Sequence, residues 1–226
     1  MDAALERLQR ALSYTFRDAA LLEQALTHRS RGARNNERLE FLGDGVLNLA
    51  VAELLYAEKP DAGEGDLSRL RASLVCEDSL AQIAAALPLS DALRLGPGEL
   101  KSGGYRRDSI LADALEALIG AIHLDGGAGA AREVCHRLLA QRLAGLPDPE
   151  TLKDAKTRLQ EWLQARARAL PEYDLVSQEG PAHQQTFVAS CRAGDLCTQA
   201  SGNSRRHAEQ GAAESMLKKL LELEHA

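Results

Sequence analysis

The chain is 226 residues long, enough for one large domain or two modest ones, and 45% hydrophobic residues suffice for packed cores, which excludes a disordered protein. Aromatics make up only 4% while alanine and leucine abound, which favours helices over a β-sandwich or barrel. The formal net charge of −6 is unevenly spread, with 17 Lys and Arg against 23 Asp and Glu over residues 1–152 and 10 of each over residues 153–226; net charge therefore gives no support for nucleic-acid binding, and local clusters must decide.

Met1-Asp2-Ala-Ala-Leu-Glu-Arg7 has neither a basic n-region nor an apolar h-region, and no apolar run approaches the roughly 18 residues of a membrane span. A cytoplasmic protein without membrane association is expected. Asp18 is a good N-cap for a short amphipathic helix over residues 18–28, followed by a polar, basic loop over 29–35. Across residues 37–58 the apolar positions Leu39, Phe41, Leu42, Val46, Leu47, Leu49, Ala50, Val51, Leu54 and Leu55 nearly surround the axis, the pattern of a central core helix that Pro60 and Gly63 end. The same helix carries Glu37, Glu40 and Asp44 at i, i+3 and i+7, which fall within about a sixth of a turn on a 3.6-residue period. Three carboxylates thus share one face.

Two further helices are predicted over 67–74 and 78–86, broken by Pro88, and residues 96–107 form a glycine-rich loop with the cations Lys101, Arg106 and Arg107. A helix over 108–124 repeats the acidic device with Asp113 and Glu116 at i, i+3. Asp125-Gly126-Gly127 stops it, and a last helix spans 130–144. A lone pair of acids on a helix is usually a solvated face. Asp113 and Glu116 differ because they are interleaved with Ile110, Leu111, Leu115, Leu118 and Ile119, and an acid among core residues needs a reason. Buried like charges raise one another's pKa and cost several kcal/mol unless paired or bound to a cation, so a hard divalent ion is their natural partner.

Pro147 and Pro149 disfavour both helix and sheet pairing and mark a linker. Beyond it the pattern changes to a helix over 154–169, strands over 173–178, 185–192 and 195–200, and a closing helix capped by Ser204 with Ala208, Ala212, Ala213, Met216, Leu217, Leu220 and Leu221 on its inner side. The fold class is an all-α N-terminal domain over residues 1–146, a linker over 147–152, and a small α+β domain of order α-β-β-β-α over 153–226. Cys76, Cys135, Cys191 and Cys197 show no CxxC spacing and read as reduced thiols; Cys191 and Cys197 could face each other across a hairpin, but a reducing compartment would keep them apart. His28, His136 and His207 receive no role, since no second ligand pair stands at zinc spacing.

Asn36-Glu-Arg-Leu-Glu-Phe-Leu-Gly-Asp44 and Asp108-Ser-Ile-Leu-Ala-Asp-Ala-Leu-Glu-Ala-Leu-Ile-Gly120 resemble the signature segments of bacterial ribonuclease III, and residues 153–223 resemble its double-stranded-RNA-binding domain. The resemblance covers essentially the whole chain. It implies a homodimeric, Mg²⁺-dependent endoribonuclease, with Mn²⁺ able to substitute, that hydrolyses phosphodiesters in double-stranded RNA to 5′-phosphate and 3′-hydroxyl ends during processing of ribosomal RNA precursors and other transcripts. Carried onto matching positions, Glu40, Asp44, Asp113 and Glu116 are the metal-binding carboxylates, with Asp44 and Glu116 catalytic. Glu37 and Glu64 are supporting acids, and Phe41 is an aromatic with which each protomer plugs the other.

In the second domain, Thr157, Gln160 and Glu161 on one helical face, the turn around His183, and Ser204-Arg205-Arg206 resemble the three RNA-contact regions of that fold. A glutamine can exchange hydrogen bonds with a 2′-hydroxyl, and arginines at a helix N-terminus suit phosphates. Ala200 stands where such domains usually have glycine, and Glu209 where many have a third lysine, so a weaker phosphate clamp and a shallower salt dependence are expected. Intact acids at all four metal positions disfavour a non-cleaving RNA-binding protein. The C-terminal α-β-β-β-α unit disfavours a hydrolase of small phosphate esters.

Overall fold

A helix not anticipated from the sequence comes first. α1 (Ala3–Leu12) buries Leu5, Leu8 and Leu12, spaced i, i+3 and i+7 along one face. The computed structural model describes residues 3–181 and 184–224. These fall into two units, Met1–Pro149 and Glu150–Ala226.

In the first unit, α2 (Ala19–Ala25) begins at Asp18, whose carboxylate accepts from the backbone N–H of Ala20 at 2.8 Å. It is followed by α3 (Glu37–Glu58), α4 (Glu64–Val75), α5 (Glu77–Ala85), the short α6 (Pro97–Lys101) inside the glycine-rich loop, and α7 (Asp108–Ala144). α7 buries most of its first half, from Ile110 to Ile122. It is broken, as the diglycine predicts, at Gly127, whose φ of 83° lies in the left-handed region that glycine adopts at no steric cost. Asp125 fastens the segment between α1 and α2 to this kink: it accepts from the Tyr14 hydroxyl at 2.6 Å and from the backbone N–H groups of Arg17 and Asp18 at 2.9 and 2.8 Å. Burial pushes the Asp125 pKa up, but these donors outweigh it and hold the carboxyl below its usual range.

α3 packs against α7 through glycine. A Cβ at Gly43 would overlap the backbone carbonyl of Glu116, and one at Gly120 would overlap the carbonyl of Leu39. The two backbones therefore touch, and this crossing lies level with the acids. α3 is not buried all round, contrary to its hydrophobic pattern. Leu39, Leu47, Ala50, Val51 and Leu55 face the core, whereas Phe41 is 83% exposed and Leu49 and Tyr56 also stand in solvent.

In the second unit, α8 (Ala155–Gln164) is capped by Asp154, which accepts from the Thr157 N–H at 2.9 Å. Strands β1 (Glu172–Glu179), β2 (Thr186–Ala193) and β3 (Leu196–Gly202) form an antiparallel sheet in that order, and α9 (Arg205–Glu224) closes the unit. Leu159 and Leu163 of α8, Cys191 and Ala193 of β2, and Ala212, Ala213, Met216, Leu217 and Leu220 of α9 make its core. α8 stops five residues short of the predicted end. Ala167 adopts a left-handed φ of 52°, and the Arg168 N–H turns back to the Leu163 carbonyl at 2.9 Å, ending the helix ahead of Pro171. The facing cysteines are likewise corrected. Cys191 pairs in register with Thr198 and Cys197 with Arg192, so alternation puts the two thiols on opposite sheet faces, one buried and one exposed.

Candidate active site

Glu40 from α3 and Asp113 and Glu116 from α7 offer carboxylate oxygens that lie within 4.8 Å of one another. The glycine crossing explains this proximity. Glu40 precedes Gly43 by three residues and Glu116 precedes Gly120 by four, so both acids stand one turn from the point where the backbones meet. All three are partly buried, and a cavity of about 270 Å³ opens over Glu40 and Asp113.

Burial pushes the pKa of Glu116 up to about 7, with Asp44, Glu40 and Asp113 adding repulsion. Burial also raises Glu40, helped by Asp113 and Glu37, and raises Asp113, helped by Glu77 and offset by His28 and Arg29. Three crowded carboxylates with raised pKa values are a donor set fit for a hard divalent cation, whose charge would reverse those shifts.

Of the other predicted acids, Glu37 and Asp44 adjoin this trio through their charges, and Glu64 does not. Asp44 is exposed on the next turn of α3 and accepts from Asn48 Nδ2 at 2.8 Å; it lies outside the trio, yet its charge is the leading repulsion on Glu116. Glu37 lines the cavity, accepts from Asn35 Nδ2 at 3.1 Å and pairs with Arg29 at 3.7 Å. Glu64, exposed at the start of α4, accepts from the Ser68 hydroxyl at 2.8 Å and is not drawn into the trio.

In the second unit, Thr157, Gln160 and Glu161 lie on α8, with Gln160 exposed and Glu161 bound to Lys153 Nζ at 2.6 Å. Ser204 caps α9, its hydroxyl accepting from the His207 N–H at 3.2 Å, and Arg205 and Arg206 are exposed beside it. His183 lies outside the described residues. Ala200 is accommodated by Gly211 of α9, where a Cβ would come within 2.9 Å of the alanine's own.

Family comparison matches residues 18–143 to a ribonuclease-III-like model and residues 155–220 to a double-stranded RNA binding motif. Ribonuclease 3 from Thiobacillus denitrificans is 59% identical over 209 residues, covering 92% of each chain. Ribonuclease 3 from Alkalilimnicola ehrlichii is 56% identical over 222 residues, covering 97% of each. The chain belongs to the ribonuclease III family. Among solved structures, the nuclease domain of ribonuclease III from Campylobacter jejuni, for which flexibility is described in a region involved in dimer formation, aligns with a TM-score of 0.60 at 49% identity over 61% of this chain and 96% of that one.

Ribonuclease III is a metal-dependent family of endoribonucleases acting on double-stranded RNA, and the acid trio is a carboxylate cluster that could hold a metal ion. No helix among the described residues is long and apolar enough to cross a membrane. Sequence reasoning missed several residues that shape this ribonuclease III site. Gly43 and Gly120 set the helix crossing, and each sits a turn beyond an acid, a spacing that would have revealed them. His28, Arg29 and Arg107 line the cavity beside Asp113; nothing in the sequence joins residue 28 to residue 113.

Proposed function

We propose that this chain cleaves duplex RNA by Mg²⁺-dependent hydrolysis, leaving 5′-phosphate and 3′-hydroxyl ends, with Glu40, Asp44, Asp113 and Glu116 holding the metal. The observation that carries this reading is the trio of Glu40, Asp113 and Glu116 with oxygens within 4.8 Å. When bound, a divalent ion supplies charge to screen the phosphate and acidifies the attacking water. The protein's own groups do the rest. Glu116, held near neutrality by burial in the metal-free site, would give up its proton as the ion binds and would then hold it as a carboxylate. Asp44, steadied by Asn48, adds a fourth negative charge to the group that would hold the ion, and Glu37 anchors Arg29 at the cavity edge. Glu64 acts from the cleft wall as a supporting acid.

The second domain tethers the substrate. Thr157, Gln160 and Glu161 of α8 meet the minor groove together with His183, while Ser204, Arg205 and Arg206 meet phosphates across the intervening major groove, reading A-form shape over about 16 base pairs. A nuclease domain over 1–146, a linker over 147–152 and an RNA-binding domain over 153–226 divide this labour. Two protomers pair through α3. Phe41 is 83% exposed beside an apolar hollow lined by Leu21, Leu39, Leu42 and Leu124, so plug and socket occupy neighbouring parts of one self-complementary face. We place the enzyme in the cytoplasm, processing ribosomal RNA precursors and other transcripts.

Glu116→Gln tests the site, because it removes a charge while preserving shape. Cleavage of long duplex RNA at saturating Mg²⁺ is expected to fall at least about a hundredfold, several kcal/mol of transition-state stabilisation, with duplex binding nearly intact. Wild-type turnover by the variant would remove Glu116 from the reaction.

A further inference from the structure

We propose that Glu209 is a positioning residue for duplex RNA: anchored by Lys156, its carboxylate grips Arg205 and holds that guanidinium ready for a phosphate. The proposal rests on the reading of Arg205 as an RNA contact. By charge alone Glu209 is a liability, an acid one turn behind the arginines that open α9, where it would repel the RNA backbone.

Its geometry points the other way. One carboxylate oxygen accepts from Lys156 Nζ at 2.7 Å and the other from Arg205 Nε at 2.8 Å. The Glu209 side chain is only 13% accessible whereas that of Arg205 is 60% accessible, so the acid is sunk beneath the cation it grips. Two cations on one carboxylate leave the group net positive. Arg205 is engaged through Nε, and its two terminal nitrogens have no protein partner among the described residues. They form the donor edge that fits phosphate oxygens.

The other end of the clasp is fixed as well. The Lys156 ammonium lies 4.1 Å from the centroid of the Tyr173 ring, and its backbone N–H donates to Gln210 Oε1 at 3.1 Å. Glu209 therefore joins the first turn of α8 to the first turns of α9. Reading an A-form duplex needs contacts in the minor groove and on the far phosphates at one separation, and those contacts come from these two helices. Ordering Arg205 before RNA arrives also removes part of the entropy cost of immobilising a long side chain on binding.

The test measures binding of the full chain to duplex RNA in EDTA, for Glu209→Gln, Arg205→Ala, the double variant and Arg205→Lys. Positioning predicts that Glu209→Gln weakens binding by about three- to tenfold. In the Arg205→Ala background it should cost less than about twofold, since its effect passes through Arg205. Arg205→Lys should weaken binding nearly as much as Arg205→Ala, because a lysine held by Glu209 has no second donor edge to offer. Charge counting predicts the opposite: tighter binding by Glu209→Gln and wild-type affinity for Arg205→Lys. Either result overturns the proposal, as does an equal loss from Glu209→Gln in both backgrounds. If Arg205→Ala itself leaves affinity unchanged, the RNA-contact reading of Arg205 fails and the clasp with it. If Arg205→Ala weakens binding while Glu209→Gln tightens it, only the clasp fails.

Discussion

Glu116 is the side chain at which folding and the proposed chemistry conflict most. Burial and its acidic neighbours raise its pKa from the ordinary 4.5 to about 7. The folded, metal-free protein therefore holds a proton that the unfolded chain has released between those two values. Stability consequently falls as pH rises from about 4.5 to about 7, and the full penalty is present above that window. Glu116→Gln removes the penalty. Because the carboxyl keeps substantial solvent contact, the gain is discounted to roughly 1–2 kcal/mol. Metal-free Glu116→Gln should melt a few degrees above the unsubstituted protein at pH 8, with the difference vanishing near pH 4, at about 2–4 °C per kcal/mol for a protein of this size. Scanning calorimetry in EDTA checks it, and an equal difference at both pH values would show that the carboxyl carries no folding penalty.

The crossing of α3 and α7 converts two helical acid patterns into one site. Neither pattern alone brings three carboxylates within 4.8 Å. Gly43 and Gly120 allow it by letting the backbones touch. Gly43→Ala would force the helices apart against a packed core, at a cost of about 1–3 kcal/mol. The catalytic consequence should be larger, since misplacing reacting groups by an ångström can cost about a hundredfold. Gly43→Ala is therefore expected to remain folded by circular dichroism while losing most of its cleavage and Mn²⁺ affinity. Retained activity with a depressed melting temperature would assign the glycine to packing alone. Gly45, where an added Cβ meets nothing within 4 Å, is the internal control.

Two predictions concern the assembled molecule. Phe41→Ala removes a side chain that is 83% exposed in the single protomer, so the protomer's own fold should hardly notice. If the ring is buried in a partner's hollow, the loss is instead that of a packed aromatic, about 3–5 kcal/mol, and the dimer should dissociate at micromolar concentration. Light scattering of both proteins decides it, and a monomeric unsubstituted protein would defeat the dimer. Truncation after Pro149 leaves the first unit with its own core and all four candidate metal carboxylates. It should still cut duplex RNA at low salt and fail at physiological salt, because its surplus of acids gives it little long-range attraction for RNA and the removed domain holds the tethering contacts. Equal cleavage rates for the two lengths of chain across a salt series would mean that the second domain is not the tether.

Much of this protein is written in local spacing. Alternation at 3.6 residues set out α3 and α7, Asp18 and the diglycine marked where helices start and break, and period-two segments after the linker foretold three strands between two helices. Glu37, Glu40 and Asp44, and separately Asp113 and Glu116, were legible as shared faces, because helical geometry fixes which side chains are neighbours within an element. What spacing cannot state is which surface meets which. α3 looked apolar all round, and only packing showed that one face meets α7 while Phe41, Leu49 and Tyr56 are left outside. The trio that draws in Glu40 but not Asp44, the cavity that sets His28 and Arg107 beside Asp113, and the grip of Glu209 on Lys156 join residues tens of positions apart. Such contacts depend on the angle and closeness at which whole elements pack, and here two glycines without side chains set that closeness between α3 and α7.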